Sequence, residues 1–417
     1  MKRILYLSVI SLLLMCFVSV ACGDDDDDDN DDSRDDDDDD DADDDDTTDD
    51  DTEENYEGWS KIIVEPNMGW MLRTPRIAVD SQNVAHMVYL VESEDQNYDL
   101  YYAYMNGDQA VAERIDQLVG TWSPAIVLDE QNFVHLCYYN NLSDNLKYAT
   151  NKSGAWVREN VNDDMPHSQH YDLAVDEDGA VYIIYSMREN ENFRIVLADN
   201  RNGDWQRAVI WEQPFGCTEY AVGPMPRIGL DAQNNIHVSF DAVFDGYGSV
   251  SHHYLHQDGD HWIDEEILVD NMTLGPIEMT VEANGTVHMS CVRNEGGVYF
   301  LKYIRGTAGN WQIDYVPIAD SENLVDQDFF SSYYAMDVDG AGNPHFAMRV
   351  FVEDDFRLLY MSANGNAWSR EMLYWFESEH WIDLALDANG KAHIALLAED
   401  EVNNTDSRVL WYVTDAL

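Results

Sequence analysis

Residues 172–185 read DLAVDEDGAVYIIY. Two short runs of alternating apolar residues flank a turn of Asp, Glu and Gly, the pattern of a β-hairpin. The stretch is one of seven. RIAVDSQNVAHMVY begins at Arg76, AIVLDEQNFVHLCY at Ala125, RIGLDAQNNIHVSF at Arg227, EMTVEANGTVHMSC at Glu278, AMDVDGAGNPHFAM at Ala335 and DLALDANGKAHIAL at Asp383. A turn acid recurs as Asp80, Asp129, Asp176, Asp231, Glu282, Asp339 and Asp387, 47 to 57 residues apart. Six residues after each acid stands His86, His135, Tyr182, His237, His288, His345 or His393.

Each hairpin is followed by a third apolar run, such as Leu146-Lys-Tyr-Ala or Leu301-Lys-Tyr-Ile. A fourth run starts at Trp156, Trp205, Trp262, Trp311 or Trp368, with glycine in the intervening turn. The first repeat has Val111 near that position. Four antiparallel strands in about 50 residues, repeated, describe an all-β, seven-bladed β-propeller. One such blade cannot bury both of its faces, whereas a closed ring can, and it exposes only short edges. The two ends of the repeat region are complementary. The seventh repeat stops after its third run, at Val413–Leu417, and the first repeat is preceded by Gly58-Trp59-Ser-Lys-Ile-Ile-Val64, a fourth-strand pattern with no blade before it. The N-terminal strand is therefore expected to complete the last blade and close the ring.

The hairpin pattern, an aliphatic-Ala-Val-Asp turn with Gly leading to His or Tyr, resembles the NHL-repeat propellers, most closely in Asp172–Tyr185. It resembles the Asp-box propellers of sialidases more loosely. The chain favours His where NHL repeats favour Tyr, and it lacks the Ser-x-Asp-x-Gly-x-Thr-Trp box. These resemblances imply a fold and leave activity open.

Of 417 residues, 82 are acidic and 23 basic, for a net charge of −59. A chain so charged repels phosphate backbones, which excludes a nucleic-acid partner. Residues 24–54 hold 22 Asp and 2 Glu against one Arg. Such a segment has no apolar surface to bury and is expected to be a disordered, extended tether, on the order of 100 Å long at ~3.3 Å per residue. Reading it as a calcium sponge is less economical than reading it as a solvated stalk, because no glycine or spacing organises a coordination shell. Once Lys2 and Arg3 are counted, residues 55–417 carry −38, with an otherwise globular composition.

Lys2 and Arg3 precede an apolar run from Ile4 to Val20, the two parts of a secretory signal, and the run is short for a spanning helix. Ser19-Val20-Ala21-Cys22-Gly23 resembles the lipobox of bacterial lipoproteins. The resemblance implies lipidation of Cys22 at the mature N-terminus. Gly23 stands where an Asp would favour the inner membrane, which implies the outer membrane or cell surface of a Gram-negative bacterium. An ordinary secreted protein cut near Ala21 is the alternative. The resulting organisation is a signal peptide over 1–21, a lipidated cysteine and tether over 22–55, and the propeller over 56–417.

The six repeated histidines are spread around a ring and cannot converge on one ion, so their expected work is to bond the turn acid and fill a gap between blades. The runs Asp337-Val-Asp339-Gly-Ala-Gly-Asn343 and Asp176-Glu-Asp178-Gly179 look like calcium-loop fragments, but both coincide with the repeat turn. Cys137, Cys217 and Cys291 are odd in number and read as buried thiols. CxxC, HExxH, GxSxG and phosphate-loop motifs are all missing. Neither a cofactor nor a metal is expected, and the ring is expected to act as a monomer.

Positions that break the repeat are the candidates for function. At the head of the first strand of each repeat stand Arg76, Asp172, Arg227, Glu278 and Asp383, with Ala125 and Ala335 in the other two. Trp122, His170, Tyr171, Tyr334 and Trp381 come just before. Three connections on this face are long and aromatic: Trp211–Pro226, Ala319–Tyr334 and Tyr374–Trp381. A mixed charged ring with aromatic platforms suits a polar ligand. The sequence thus describes a surface-tethered binding or scaffold module for a glycan, peptide or partner protein. The alternative is a glycoside hydrolase or lyase using carboxylates such as Asp172, Glu278 and Asp383.

Overall fold

The computed structural model describes residues 58–416, apart from 67, 69–74, 94–96, 121, 163–169, 190–191, 215–223, 244–248, 260, 272–276, 296–297, 319–333, 353–354, 366, 377–380 and 401–404. The expected signal peptide, Cys22 and the expected acidic tether lie outside the described residues, as does Cys217.

The structure is a seven-bladed propeller of antiparallel blades. Blades I to VI run over 76–119, 125–160, 171–214, 227–271, 278–315 and 334–376. Blade VII takes three strands from 381–414 and its fourth, Ser60–Glu65, from the start of the described chain. That strand pairs antiparallel with Thr405–Thr414, Ser60 opposite Thr414 and Ile63 opposite Trp411. The first strands of the blades form a closed circuit, each lying beside the next, with Arg76–Val79 of blade I beside Trp381–Leu386 of blade VII.

The repeat grammar has a local cause. Three residues after each turn acid, the backbone enters the left-handed region: Asn83, Asn132, Gly179, Asn234, Gly285, Gly342 and Gly390, with φ between 60° and 83°. Only Asn and Gly tolerate that conformation readily, which is why only these two occur there. The turn aspartate holds the bend. In five of the turns, as at Asp80, one carboxylate oxygen accepts the N–H groups two and four residues on.

The other oxygen faces the repeated histidine. His86, His135, His237, His288, His345 and His393 each bring Nδ1 to 2.5–2.6 Å from the hydroxyl of a third-strand tyrosine: Tyr102, Tyr148, Tyr254, Tyr303, Tyr360 or Tyr412. Nε2 lies toward the turn acid, at 2.7 Å for His288–Glu282 and 3.3–3.9 Å for the rest. Glutamate in blade V is one methylene longer and makes the shortest of these contacts. Blade III carries a paired exchange. Tyr182 replaces the histidine and donates to Asp176 Oδ2 at 3.0 Å, and the third-strand tyrosine becomes Leu197.

Adjacent blades are stitched by the fourth-strand tryptophans. Trp156, Trp205 and Trp311 meet the tyrosine of the preceding blade edge-on, and their indole N–H groups donate to Glu113, Glu159 and Glu265 of that blade. Trp59 does the same from the N-terminal strand. Its ring lies 5.0 Å from that of Tyr360, and Nε1 donates to Glu371 Oε2 at 2.9 Å. It is 6% exposed, in a core shared by blades VI and VII.

Candidate functional site

Because side chains alternate along a strand, the head residue of each first strand and the residue two further on share a side. Arg76, Asp172, Arg227, Glu278 and Asp383 hold the head positions, and Asp337 holds the inner position in blade VI. Arg76 Nη1 donates to Asp383 Oδ1 at 3.0 Å, and Arg227 Nη2 to Glu278 Oε1 at 3.1 Å. Both pairs join neighbouring blades.

The aspartates also reach the backbone of the next blade. Ile77 N donates to Asp383 Oδ2 at 2.8 Å, Ile228 N to Asp172 Oδ2 at 3.2 Å, and Leu386 N to Asp337 Oδ2 at 2.8 Å. Asp337 thereby staples blade VI to blade VII, which accounts for an acid where other repeats have a small residue, Thr or Val. Its carboxylate and that of Asp339, which is bound up in its own turn, serve different partners, so the calcium-loop resemblance is a repeat turn. Among the described residues no cluster of three or more His, Cys, Asp or Glu is arranged to hold a metal ion.

The charges of these groups act on one another. Arg227 is coupled to Asp172, Glu278 and Asp383, and Arg76 to Asp172 and Asp383, although some of these residues stand on blades that are not neighbours. Burial pushes the carboxyl of Asp383 up to about 6, with Arg76 pulling it down and Glu278 raising it further. Burial likewise lifts Asp337 to about 6, against the pull of its backbone donors. Asp172 is raised by burial, against the pull of Arg227 and Arg76. Burial works against the charge of Arg227, yet Glu278 and Asp172 more than offset it and hold the guanidinium above its ordinary value. The result is a fixed array of donors and acceptors inside the ring. Each guanidinium offers five N–H donors and commits one nitrogen to a carboxylate here, which leaves donors for a ligand's hydroxyl or carboxyl oxygens.

The aromatic residues divide. Trp122 is half-buried, edge-on to His170 at 5.4 Å. Tyr334 corrects the expectation of a platform. It is 2% exposed and packs between blades V and VI, with its hydroxyl on the carbonyl of Ser290. The reason is strand alternation: Tyr334 immediately precedes Ala335 and therefore points to the opposite side from the ring position. Tyr171, just before Asp172, is buried for the same reason, and its hydroxyl accepts from Tyr139 N at 3.2 Å. Trp381 is also buried, with the Arg408 guanidinium 5.3 Å from its ring centre. Trp211 is a fourth-strand residue whose indole donates to Asp264 Oδ2 at 3.0 Å. Most of the three long connections, at 215–223, 319–333 and 377–380, lies outside the described residues.

The turn histidines bond third-strand tyrosines through Nδ1 and face the turn acids through Nε2. Cys137 and Cys291 are buried thiols on second strands. Two roles escaped the sequence reading. The carboxylate-to-backbone staples depend on which blade follows, and no spacing signals them. The tyrosine partner of each histidine was visible as the third residue of every third run, with its exchange to leucine in blade III marking the pairing.

No known family profile matches the chain, and no curated protein matches it. Solved structures do. The chain is similar to a polysaccharide lyase, a PL25 ulvan lyase bound to -[GlcA(1-4)Rha3S]-, at 12% identity and a TM-score of 0.55, over 84% of this chain and 95% of that one. Another PL25 ulvan lyase structure gives 13% identity and 0.55 over the same shares. An Aleuria aurantia lectin in complex with Fucalpha1-6GlcNAc gives 11% identity and 0.46, over 72% and 95%. At these identities the two lyase structures show the propeller fold alone.

Proposed function

We propose that the protein is a lipid-anchored propeller, held at the outer membrane or cell surface through Cys22 and its acidic stalk, that acts as a monomeric glycan-binding module. The observation that carries this reading is the ring itself. Five charged residues, Arg76, Asp172, Arg227, Glu278 and Asp383, break the repeat at equivalent positions, form two ion pairs between neighbouring blades, and act electrostatically on one another. Two guanidinium groups among carboxylates can hydrogen-bond a polyhydroxyl ligand in both directions. The saccharide bound to the similar lyase, -[GlcA(1-4)Rha3S]-, makes a glycan a better choice than a peptide. The NHL likeness of the repeats supports the architecture only.

A second reading, a glycoside hydrolase or lyase on the same ring, draws on one observation. Burial lifts the Asp383 carboxyl to about 6, within the range useful to a general acid or base. Parallel glycan and peptide arrays test the proposal, with each hit then incubated and assayed for new reducing ends and unsaturated uronates. Glycan retention without product supports the binding module. Product formation favours the enzyme, and peptide-only retention rejects the glycan.

A further inference from the structure

The junction between blades I and II departs from the repeat more than any other. The fourth strand of blade I, Gln109–Val119, is eleven residues long and lacks the tryptophan. Its end pairs with blade II through Val119 and Asn140, the one place among the described residues where two blades share a ladder pair. A cleft of about 450 Å³ lies there, lined by Arg114–Leu118, Asn140, Leu142, Ser143, Lys147 and Arg158.

Three cations border this cleft in a chain with 23 basic residues against 82 acidic ones. Arg114 pairs with Asp99 at 2.9 Å and Lys147 with Asp116 at 3.4 Å. Asp116 is further occupied by the Tyr138 hydroxyl at 2.8 Å and the Asn140 amide at 3.3 Å. Arg158 makes no hydrogen bond or ion pair with any described residue. Its charge acts on the Tyr138 hydroxyl. The cleft wall is built rather than slack. Leu118 sits at φ 54° in a conformation unfavourable for a branched residue, held by Asn141 N on its carbonyl at 3.2 Å. Leu142 stands 77% exposed at the rim, an apolar surface for a sugar ring.

The cleft also shares a face with the charged ring. It opens where fourth strands lead to the next first strand and second strands turn into third strands, and the ring residues stand at the heads of those first strands. We infer that this cleft is an anion subsite that receives a carboxylate or sulfate ester carried by an acidic polysaccharide, with Arg158 as its principal ligand. The inference rests on the glycan reading of this face and adds the class of glycan. A guanidinium fork matches the oxygens of either group, and the surrounding negative charge makes a polyanion bind only where such cations concentrate.

The test is affinity electrophoresis of the intact protein through gels containing dextran, polygalacturonate or dextran sulfate. Inorganic sulfate and a poly-aspartate peptide serve as competitors. Retardation by one or both polyanions is expected, and Arg158→Ala should weaken it by about tenfold or more, the loss of a hydrogen bond to a charged group. Arg158→Lys should restore part of it. The polyanion that retards more strongly identifies the group as carboxylate or sulfate. The inference is overturned if neither polyanion retards the protein, if Arg158→Ala leaves retardation unchanged while circular dichroism shows a native fold, or if poly-aspartate competes as well as the sugars. Retardation by neutral dextran alone would overturn the subsite and spare the glycan reading. Absence of retardation by all three, with an empty glycan array, would remove both.

Discussion

Replacing Trp59 with alanine should cost far more than its position near the start of the described chain suggests. The side chain is 6% exposed and fills the slot that other blades fill from their own fourth strand. Removing it empties a ring-sized cavity against Tyr360 and leaves Glu371 without the indole donor at 2.9 Å. Buried Trp-to-Ala changes cost roughly 3–5 kcal/mol. Of that, the edge-on ring contact represents about 0.5–1.5 kcal/mol and the hydrogen bond about 1–2 kcal/mol. Trp59→Phe keeps much of the ring and loses the bond, so about 1–2 kcal/mol is expected. Ile63→Ala, on the same strand but 45% exposed, should change stability by less than about 0.5 kcal/mol. Urea unfolding followed by far-ultraviolet circular dichroism, on protein lacking the acidic tether in all cases, reads these differences. A loss below about 1 kcal/mol for Trp59→Ala, or one equal to that of Ile63→Ala, would refute ring closure by this strand.

Four further outcomes follow from the same contacts. His288→Ala removes the shared partner of Glu282 and Tyr303, so it should destabilise by roughly 1–3 kcal/mol without altering glycan retention, checked by paired melts and array binding. Burial lowers the pKa of all six turn histidines; stability from such groups is complete above their unfolded pKa of about 6.5 and is lost as pH falls below it, so wild-type melting temperature should decline from pH 7 to 5. Asp337 has the opposite sign, being raised to about 6; its contribution is complete below its unfolded pKa and lost as pH rises through about 6, so Asp337→Asn should gain on wild type by roughly 2 kcal/mol between pH 4 and 7, read by urea titration at each pH. Cys22→Ser should move the protein from the membrane to the soluble fraction, because an aspartate stalk has no hydrophobic grip; unchanged partition would reject the lipid anchor.

The ring fold was legible because its causes are local and repeated. Five of the seven turns use an aspartate to hold two N–H groups, all seven place Asn or Gly at the left-handed residue, and every second strand supplies a polar partner for the turn acid. The missing fourth strand at one end and the surplus one at the other were equally visible. The functional face was less so. The head residues stand out because they break the repeat, whereas Tyr334 is buried between blades because one step along a strand reverses the side chain. Arg76 and Arg227 also proved to be ion-paired rather than solvated. Removing either outright would strand buried carboxylates, at roughly 3–5 kcal/mol for breaking a buried pair. Lysine is therefore the informative substitution, since it keeps the charge and loses the planar fork. The cationic cleft gave no sequence signal, because its three cations are scattered over 114–158 and meet only through the irregular junction of two blades.

The most direct test of glycan binding inside the ring is hydrogen–deuterium exchange of the intact protein with its strongest array hit. Protection is expected in the first strands at Arg76–Val79, Tyr171–Val175, Arg227–Leu230, Glu278–Val281 and Trp381–Leu386. It should weaken in the variant carrying Arg76→Lys and Arg227→Lys. Protection confined instead to the turns after Asp80, Asp129, Asp231 and Asp387, on the histidine side, and unchanged in that variant, would contradict it.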